Sequence, residues 1–130
     1  MNLPITSLFA GILALFLVPL SLNVGRQRLR ARVGIFDGGD KKLGRAIRVQ
    51  GNFIEYVPLA LVLFALIELN GGAAWWLYGL GVVLVVARLL HAYGLSRSEG
   101  ASRPRAIGIA GTLSVITAAG LTSLYQFAVG

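Results

Sequence analysis

The chain has 130 residues, 56% of them hydrophobic and 13% charged, with a mean hydropathy of +0.76 and a net charge of +7. Soluble chains are about a quarter charged, so these figures exclude an ordinary soluble domain and point to an integral membrane protein. The absence of cysteine excludes disulfides, thiolate metal sites and a cysteine nucleophile, so thiol chemistry would need a thiol carried in by a ligand.

Four apolar segments follow in order. The first, Leu3 to Gly25, carries no charge and is long enough to cross the roughly 30 Å hydrocarbon core. It lacks the basic n-region and small-residue cleavage site of a secretory signal, so it reads as a retained helix over about 3–25. Arg26, Arg28, Arg30 and Arg32 then lead into a loop marked by the glycines and aspartates of 34–40. A second helix is expected over about 42–69, polar in its first turns, and Asn70, Gly71 and Gly72 turn the chain. The third, about 73–95, opens on Trp75, Trp76 and Tyr78, an aromatic belt at the membrane interface, and carries Arg88 and His91 towards its far end. A second polar loop holds Arg97, Arg103 and Arg105 and precedes the last helix, about 105–129, whose small residues let membrane helices approach closely.

The expected fold is therefore all-α, one four-transmembrane-helix bundle filling residues 1–130. The loops at 26–48 and 96–105 are basic and the turn at 70–72 is not. The positive-inside rule places both basic loops in the cytoplasm and both termini outside. Lying between apolar segments, the basic residues read as headgroup and loop charges, and no nucleic-acid surface is expected.

Carboxylates are scarce, so each needs an account. Asp37 and Asp40 read as turn formers, and Glu68 as a solvated or headgroup-level group. Glu55 differs, because it lies at or inside the interface, where an unpaired carboxylate is costly. It belongs to the run R-A-I-R-V-Q-G-N-F-I-E-Y-V-P at 45–58, in which Arg45, Arg48, Asn52 and Glu55 share an arc of about 80° on one helix face. A local Arg48–Asn52–Glu55 ladder would satisfy these groups, and so would pairing of Glu55 with Arg88 on the neighbouring helix. His91 reads equally as a packing histidine or a functional one. The remaining reading is an anion site at the basic end, with guanidinium forks for carboxylates and Glu55 for an ammonium. Glutathione has that pattern of charges and brings the missing thiol.

The spacing R-x-x-R-x-x-x-N-x-x-E of Arg45, Arg48, Asn52 and Glu55 resembles the second-helix signature of the MAPEG family, the membrane-associated proteins in eicosanoid and glutathione metabolism. The likeness extends to R-Q-R-L-R at the end of helix 1 and A-R-L-L-H on helix 3, and G-N-F-I-E-Y-V-P-L-A-L is most similar to small bacterial members. The resemblance implies a homotrimer in the inner membrane, with glutathione as cosubstrate between adjacent subunits near the cytoplasmic face. It implies Arg28, Arg48, Asn52, Glu55, Arg88 and His91 as glutathione-binding residues, and no metal. It implies Arg105, with Arg103 as the other register, as the catalytic arginine that stabilises the thiolate. A lipophilic electrophile or hydroperoxide would arrive from the lipid bilayer. Two departures weaken any specific eicosanoid activity: Leu95 stands where those enzymes commonly place a tyrosine, and Gln50 and Gly51 replace a histidine and a basic residue. A glutathione transferase or peroxidase is the expected function. The alternatives are a non-catalytic ligand-binding scaffold and a small proton-coupled transporter.

Overall fold

The computed structural model describes residues 2–97, 100 and 102–130. Among them the chain forms four helices and no strand: α1 Pro4–Ala31, α2 Lys41–Leu69, α3 Ala74–Arg97 and α4 Arg103–Val129. Each is long and apolar enough to cross a membrane, so the all-helical four-span fold expected from the hydrophobic runs is the fold observed. Of the second basic loop, Ser98, Glu99 and Ala101 lie outside the described residues.

The first boundary differs from the sequence expectation. α1 does not stop at Gly25 but continues through the basic block to Ala31. Arginine, glutamine and leucine are good helix formers, and Arg28 and Arg30 in the last turn face the negative end of the helix dipole. Arg32 closes the helix in the left-handed conformation, its N–H bonding the Arg28 carbonyl. At about 1.5 Å per residue, the 28 residues of α1 make a rod longer than the hydrocarbon core is thick. Its arginine-bearing end therefore stands in the headgroup layer.

α2 packs against each of the other three helices, and α3 also meets α1 and α4. The core is an apolar column in which Phe9 and Leu13 of α1 meet Phe53, Ala60 and Phe64 of α2, Leu77 and Leu84 of α3, and Val115 and Ala119 of α4. Phe9 stacks edge-on against Phe64 with ring centroids 6.3 Å apart. Between α3 and α4 the contact is backbone to backbone: a Cβ on Gly108 would lie 2.5 Å from the His91 amide nitrogen. One on Gly94 would lie equally close to the Arg105 nitrogen. Only hydrogen fits there, so these glycines set the α3–α4 spacing.

Two caps use carboxylates. Asp40 is the N-cap of α2, accepting the Leu43 N–H at 2.9 Å and pairing with Arg30. The Leu43 hydrogen bond first, and then Arg30, hold its carboxyl below the usual carboxylate range. Glu68 corrects the sequence reading, for it is no merely solvated group. Its two oxygens accept the Ile5 and Thr6 N–H groups at 2.9 and 2.8 Å, capping α1 from the far end of α2. Leu3 offers α1 no side-chain cap, so Glu68 supplies what the local sequence lacks.

Two outcomes follow. Glu68→Ala should lower stability in detergent by roughly 0.5–2 kcal/mol, with Glu68→Gln intermediate, as read by thermal unfolding. A carboxyl with a depressed folded pKa stabilises above its unfolded value, and that contribution is lost as pH falls through the folded one. Protection of the first α2 turn, corrected for intrinsic exchange, should therefore fall once pH drops below about 4, and Asp40→Asn should abolish that pH dependence.

Candidate functional site

The basic end of the bundle carries the polar residues singled out above, and the helix wheel decides which way each faces. On α2 the buried residues Val49, Phe53, Val57, Ala60 and Phe64 centre about 80° around from Arg45 at 100° per residue. Asn52 lies about 100° from that centre, at the edge of the buried face, while Glu55 lies about 160° away, on the outside. The shared arc of polar residues is split by the core boundary.

The inward part is built around Arg88. Its side chain is 1% exposed, among the most deeply buried in the protein. Nη2 donates to Asn52 Oδ1 of α2 at 2.6 Å, and Nη1 donates to Thr112 Oγ1 of α4 at 3.2 Å. The guanidinium also lies 5.9 Å from the centre of the Phe53 ring. The Thr112 hydroxyl in turn donates a hydrogen bond to the Gly108 carbonyl at 2.9 Å. One turn on, His91 Nδ1 sits 3.3 Å from Arg88 Nη2. Arginine only donates, so Nδ1 accepts and this network assigns the ring proton to Nε2. Arg88 thus ties α2, α3 and α4 together through neutral acceptors. The pairing of Arg88 with Glu55 considered from sequence does not occur.

The outward part is an ion pair. Arg48 Nη1 reaches Glu55 Oε1 at 3.2 Å across two turns of α2, with the side chains 55% and 49% exposed. The ladder expected through Asn52 is therefore a direct Arg48–Glu55 contact, with Asn52 turned away to Arg88.

Arg48 also borders a cavity of about 360 Å³ at the basic end, with Arg45, Arg105, Lys41, Asp37 and Leu95 among its walls. That volume falls in the range of small-molecule sites. The cavity brings together Arg48 and Arg105 of the sequence-derived set, and it favours Arg105 over the exposed Arg103 as the α4 arginine at this site. Arg105 stands in the first turn of α4, where the Ser102 hydroxyl caps its N–H at 3.4 Å and the helix dipole adds positive potential. Glu55, Asn52, Arg88 and His91 do not line this cavity. Arg28 is elsewhere, donating to the Phe36 carbonyl at 2.8 Å and holding the α1–α2 loop. Sequence reasoning passed over Asp37 and Lys41 as cavity walls. Their signal lay in the loop glycines, which let the chain fold back over α2.

A truncation series separates the two parts. Arg88→Ala strands Asn52 and Thr112 and leaves a void, so it should cost more than about 3 kcal/mol. Arg88→Lys should recover little, because an ammonium cannot span both acceptors. Glu55→Gln, on the outward face, should leave the unfolding temperature nearly unchanged. Thermal unfolding in detergent reads all three.

The Inner membrane protein YecN of Escherichia coli (strain K12) is 42% identical to this chain over 90 residues, 69% of each chain. The protein of the same name from Escherichia coli O6:H1 (strain CFT073) shows the same identity and coverage. The MAPEG family profile matches residues 6–125, and with nearly the whole chain covered by it, this protein belongs to the MAPEG family.

Proposed function

We propose that this protein is a glutathione-dependent transferase or peroxidase of an inner membrane, with its basic loops in the cytoplasm and its termini outside. The observation that carries the reading is the cationic cavity bordered by Arg45, Arg48 and Arg105, joined through Arg48 to the Glu55 carboxylate. A tripeptide with two carboxylates and one ammonium complements that set: the guanidinium groups take the carboxylates and Glu55 takes the amine. Membership of a family of glutathione and eicosanoid metabolism supports the same ligand.

Arg105 and the first turn of α4 would lower the pKa of a thiol placed beside them, raising the thiolate fraction near neutral pH. The thiolate lone pair then forms a bond to an electrophilic carbon, whose leaving group departs with its bonding electrons. With a hydroperoxide, the thiolate attacks the terminal oxygen and the O–O bond breaks; the alkoxide takes a proton from water and leaves as the alcohol, and a second glutathione converts the sulfenic acid to the disulfide and water. Substrates of either kind dissolve in lipid and would reach the site from the bilayer.

The ion pair also bears on assembly. In a 20-residue span ending at Leu69, Glu55 lies five residues inside and Arg48 two residues outside, so a half-exposed pair there would be costly against hydrocarbon. A homotrimer, as the resemblance implies, covers such a face with an adjacent subunit and brings that subunit's Arg28 towards the ligand. Arg88, Asn52 and His91 then stand behind the clamp and keep its helix in register. A proton-coupled transporter fits less well, because Glu55 is held by an arginine on its own helix. A binding scaffold is favoured by one residue: Leu95, at the cavity wall, offers no hydroxyl.

Calorimetric titration of the detergent-purified protein with glutathione should release heat, and Arg48→Ala should weaken binding about 10- to 100-fold. Arg105→Ala should retain binding but shift the pH profile of conjugation to higher pH. No heat and no turnover would overturn the proposal, and binding without turnover would establish the scaffold reading.

A further inference from the structure

Arg45 has a cavity on either side of it. One is the cationic cavity that Arg48 and Arg105 also border. The other is a cleft of about 250 Å³ where the basic ends of three helices meet. It is lined by Asn23 and Gln27 of α1, Lys42 and Arg45 of α2, and Ser96 of α3. Ala46 supplies an apolar wall and ties the cleft to the buried cluster of Val24 and Leu43. The helix wheel shows which way it faces. Gln27 lies five turns beyond the buried Phe9 and points in the same direction from α1. Lys42 lies about 60° round from Arg45, within about 20° of the centre of the buried face of α2, and about 140° round from Glu55. The cleft is therefore the polar end of the bundle interior. Three helices of one chain complete it, away from the outward Arg48–Glu55 face.

Each polar side chain in these walls can donate hydrogen bonds. Lys42 brings an ammonium, Arg45 a guanidinium, Ser96 a hydroxyl and Asn23 an amide. Gln27 is oriented in the same sense. Its Oε1 accepts from Arg30 Nε at 2.6 Å, which leaves the NH2 group to offer to a ligand. Arg30 is itself held by Asp40, the N-cap of α2, so one chain of contacts fixes the α2 start and the Gln27 amide together. Among the described residues no carboxylate lines the cleft. Asp40 stands on Arg30 and the Leu43 N–H, Asp37 borders the other cavity, Glu55 pairs with Arg48, and Glu68 caps the opposite end. Five donor groups, two of them cationic, complement a compact anion with several acceptor oxygens. A phosphate group, with its three or more oxygens and up to two charges, meets that set more fully than a carboxylate does. The volume lies below that of drug-sized sites and suits a small anion with its waters.

We propose that this cleft is a second anion site, which takes phosphate or a small phosphomonoester from the aqueous phase at the basic end. Arg45 borders both cavities, so an anion in the cleft draws on a guanidinium that the ligand cavity also uses and sets negative charge beside it. Occupation of one site therefore opposes anion binding at the other, and the antagonism is reciprocal. The site itself is independent of what the cavity binds, whereas the antagonism rests on the cavity taking glutathione.

Inorganic phosphate is the probe. The protein, purified in uncharged detergent, is unfolded thermally in phosphate and in chloride of equal ionic strength, so that screening is matched. Phosphate at about ten times its dissociation constant should raise the unfolding temperature by roughly 3–8 °C over chloride. Lys42→Gln and Gln27→Glu alter the cleft and not the ligand cavity, and each should weaken phosphate about tenfold or more. Arg105→Ala, at the ligand cavity, should leave the phosphate effect nearly unchanged. Glutathione affinity, read by calorimetry, should fall about fivefold in saturating phosphate, and Lys42→Gln should abolish that fall. Equal unfolding temperatures in phosphate and chloride would overturn the proposal. So would a phosphate effect that Arg105→Ala removes and Lys42→Gln keeps, which would place the anion in the ligand cavity. Loss of the phosphate effect when phosphatidylglycerol, but not phosphatidylcholine, is added to the micelles would give the cleft to a lipid headgroup and overturn a soluble occupant. Glutathione binding indifferent to phosphate would strike out the antagonism. Phosphate stabilisation with no glutathione heat would uphold the cleft and reject the glutathione reading. Should Gln27→Glu disturb the end of α1, Lys42→Gln, an exposed position, decides between the same outcomes.

Discussion

The packing of α2, α3 and α4 towards the basic end depends on one buried guanidinium. Arg88 is removed from solvent, and its hydrogen-bond acceptors on other helices are an asparagine amide and a threonine hydroxyl. A desolvated cation is expensive, so the surrounding helices cannot slide without leaving it unsatisfied. Asn52 must face it from α2, and Thr112 must reach it from α4. The second requirement explains the backbone contact between α3 and α4, because Thr112 lies one turn beyond Gly108, the residue that lets the helices touch. Glycines and arginine are two halves of one constraint.

That constraint also decides what α2 shows to the outside. With Asn52 turned inward, the helix period forces Arg48 and Glu55 outward, where they pair with each other at half exposure. A polar stripe that looks continuous in sequence is thus divided between a structural network and a face available to ligand or to a neighbouring subunit. The cavity beside Arg48 gathers cations from α2 and from the first turn of α4, and the close α3–α4 contact fixes where that turn lies. The opposite end of the bundle is held by a different device, the Glu68 cap on α1, with Trp76 donating to Thr122 and Gln126 to carbonyls at the end of α2.

The four spans were legible because uncharged runs of this length have one economical structure in lipid. The length of α1 was not, since a cluster of arginines reads as a loop until one sees that its residues are good helix formers and that Arg32 caps it. Arg48 and Glu55 stood out by type and spacing and Arg105 through the family resemblance, and the cavity borders on Arg48 and Arg105 but not on Glu55. The burial of Arg88 was hidden because periodicity on a helix apolar all round gives no inward direction. The Glu68 cap was hidden for another reason: its donors are more than 60 residues away in the chain, and nothing local announces them.

The central claim is a division of labour, in which Arg88 holds helices and the Arg45–Arg48–Arg105 cavity holds ligand. A high-resolution structure of the reconstituted protein with glutathione tests it most directly. The account predicts ligand density against Arg48 and Arg105, with Arg88 still donating to Asn52 and Thr112. Density placed on an Arg88 side chain that has left those partners would contradict it.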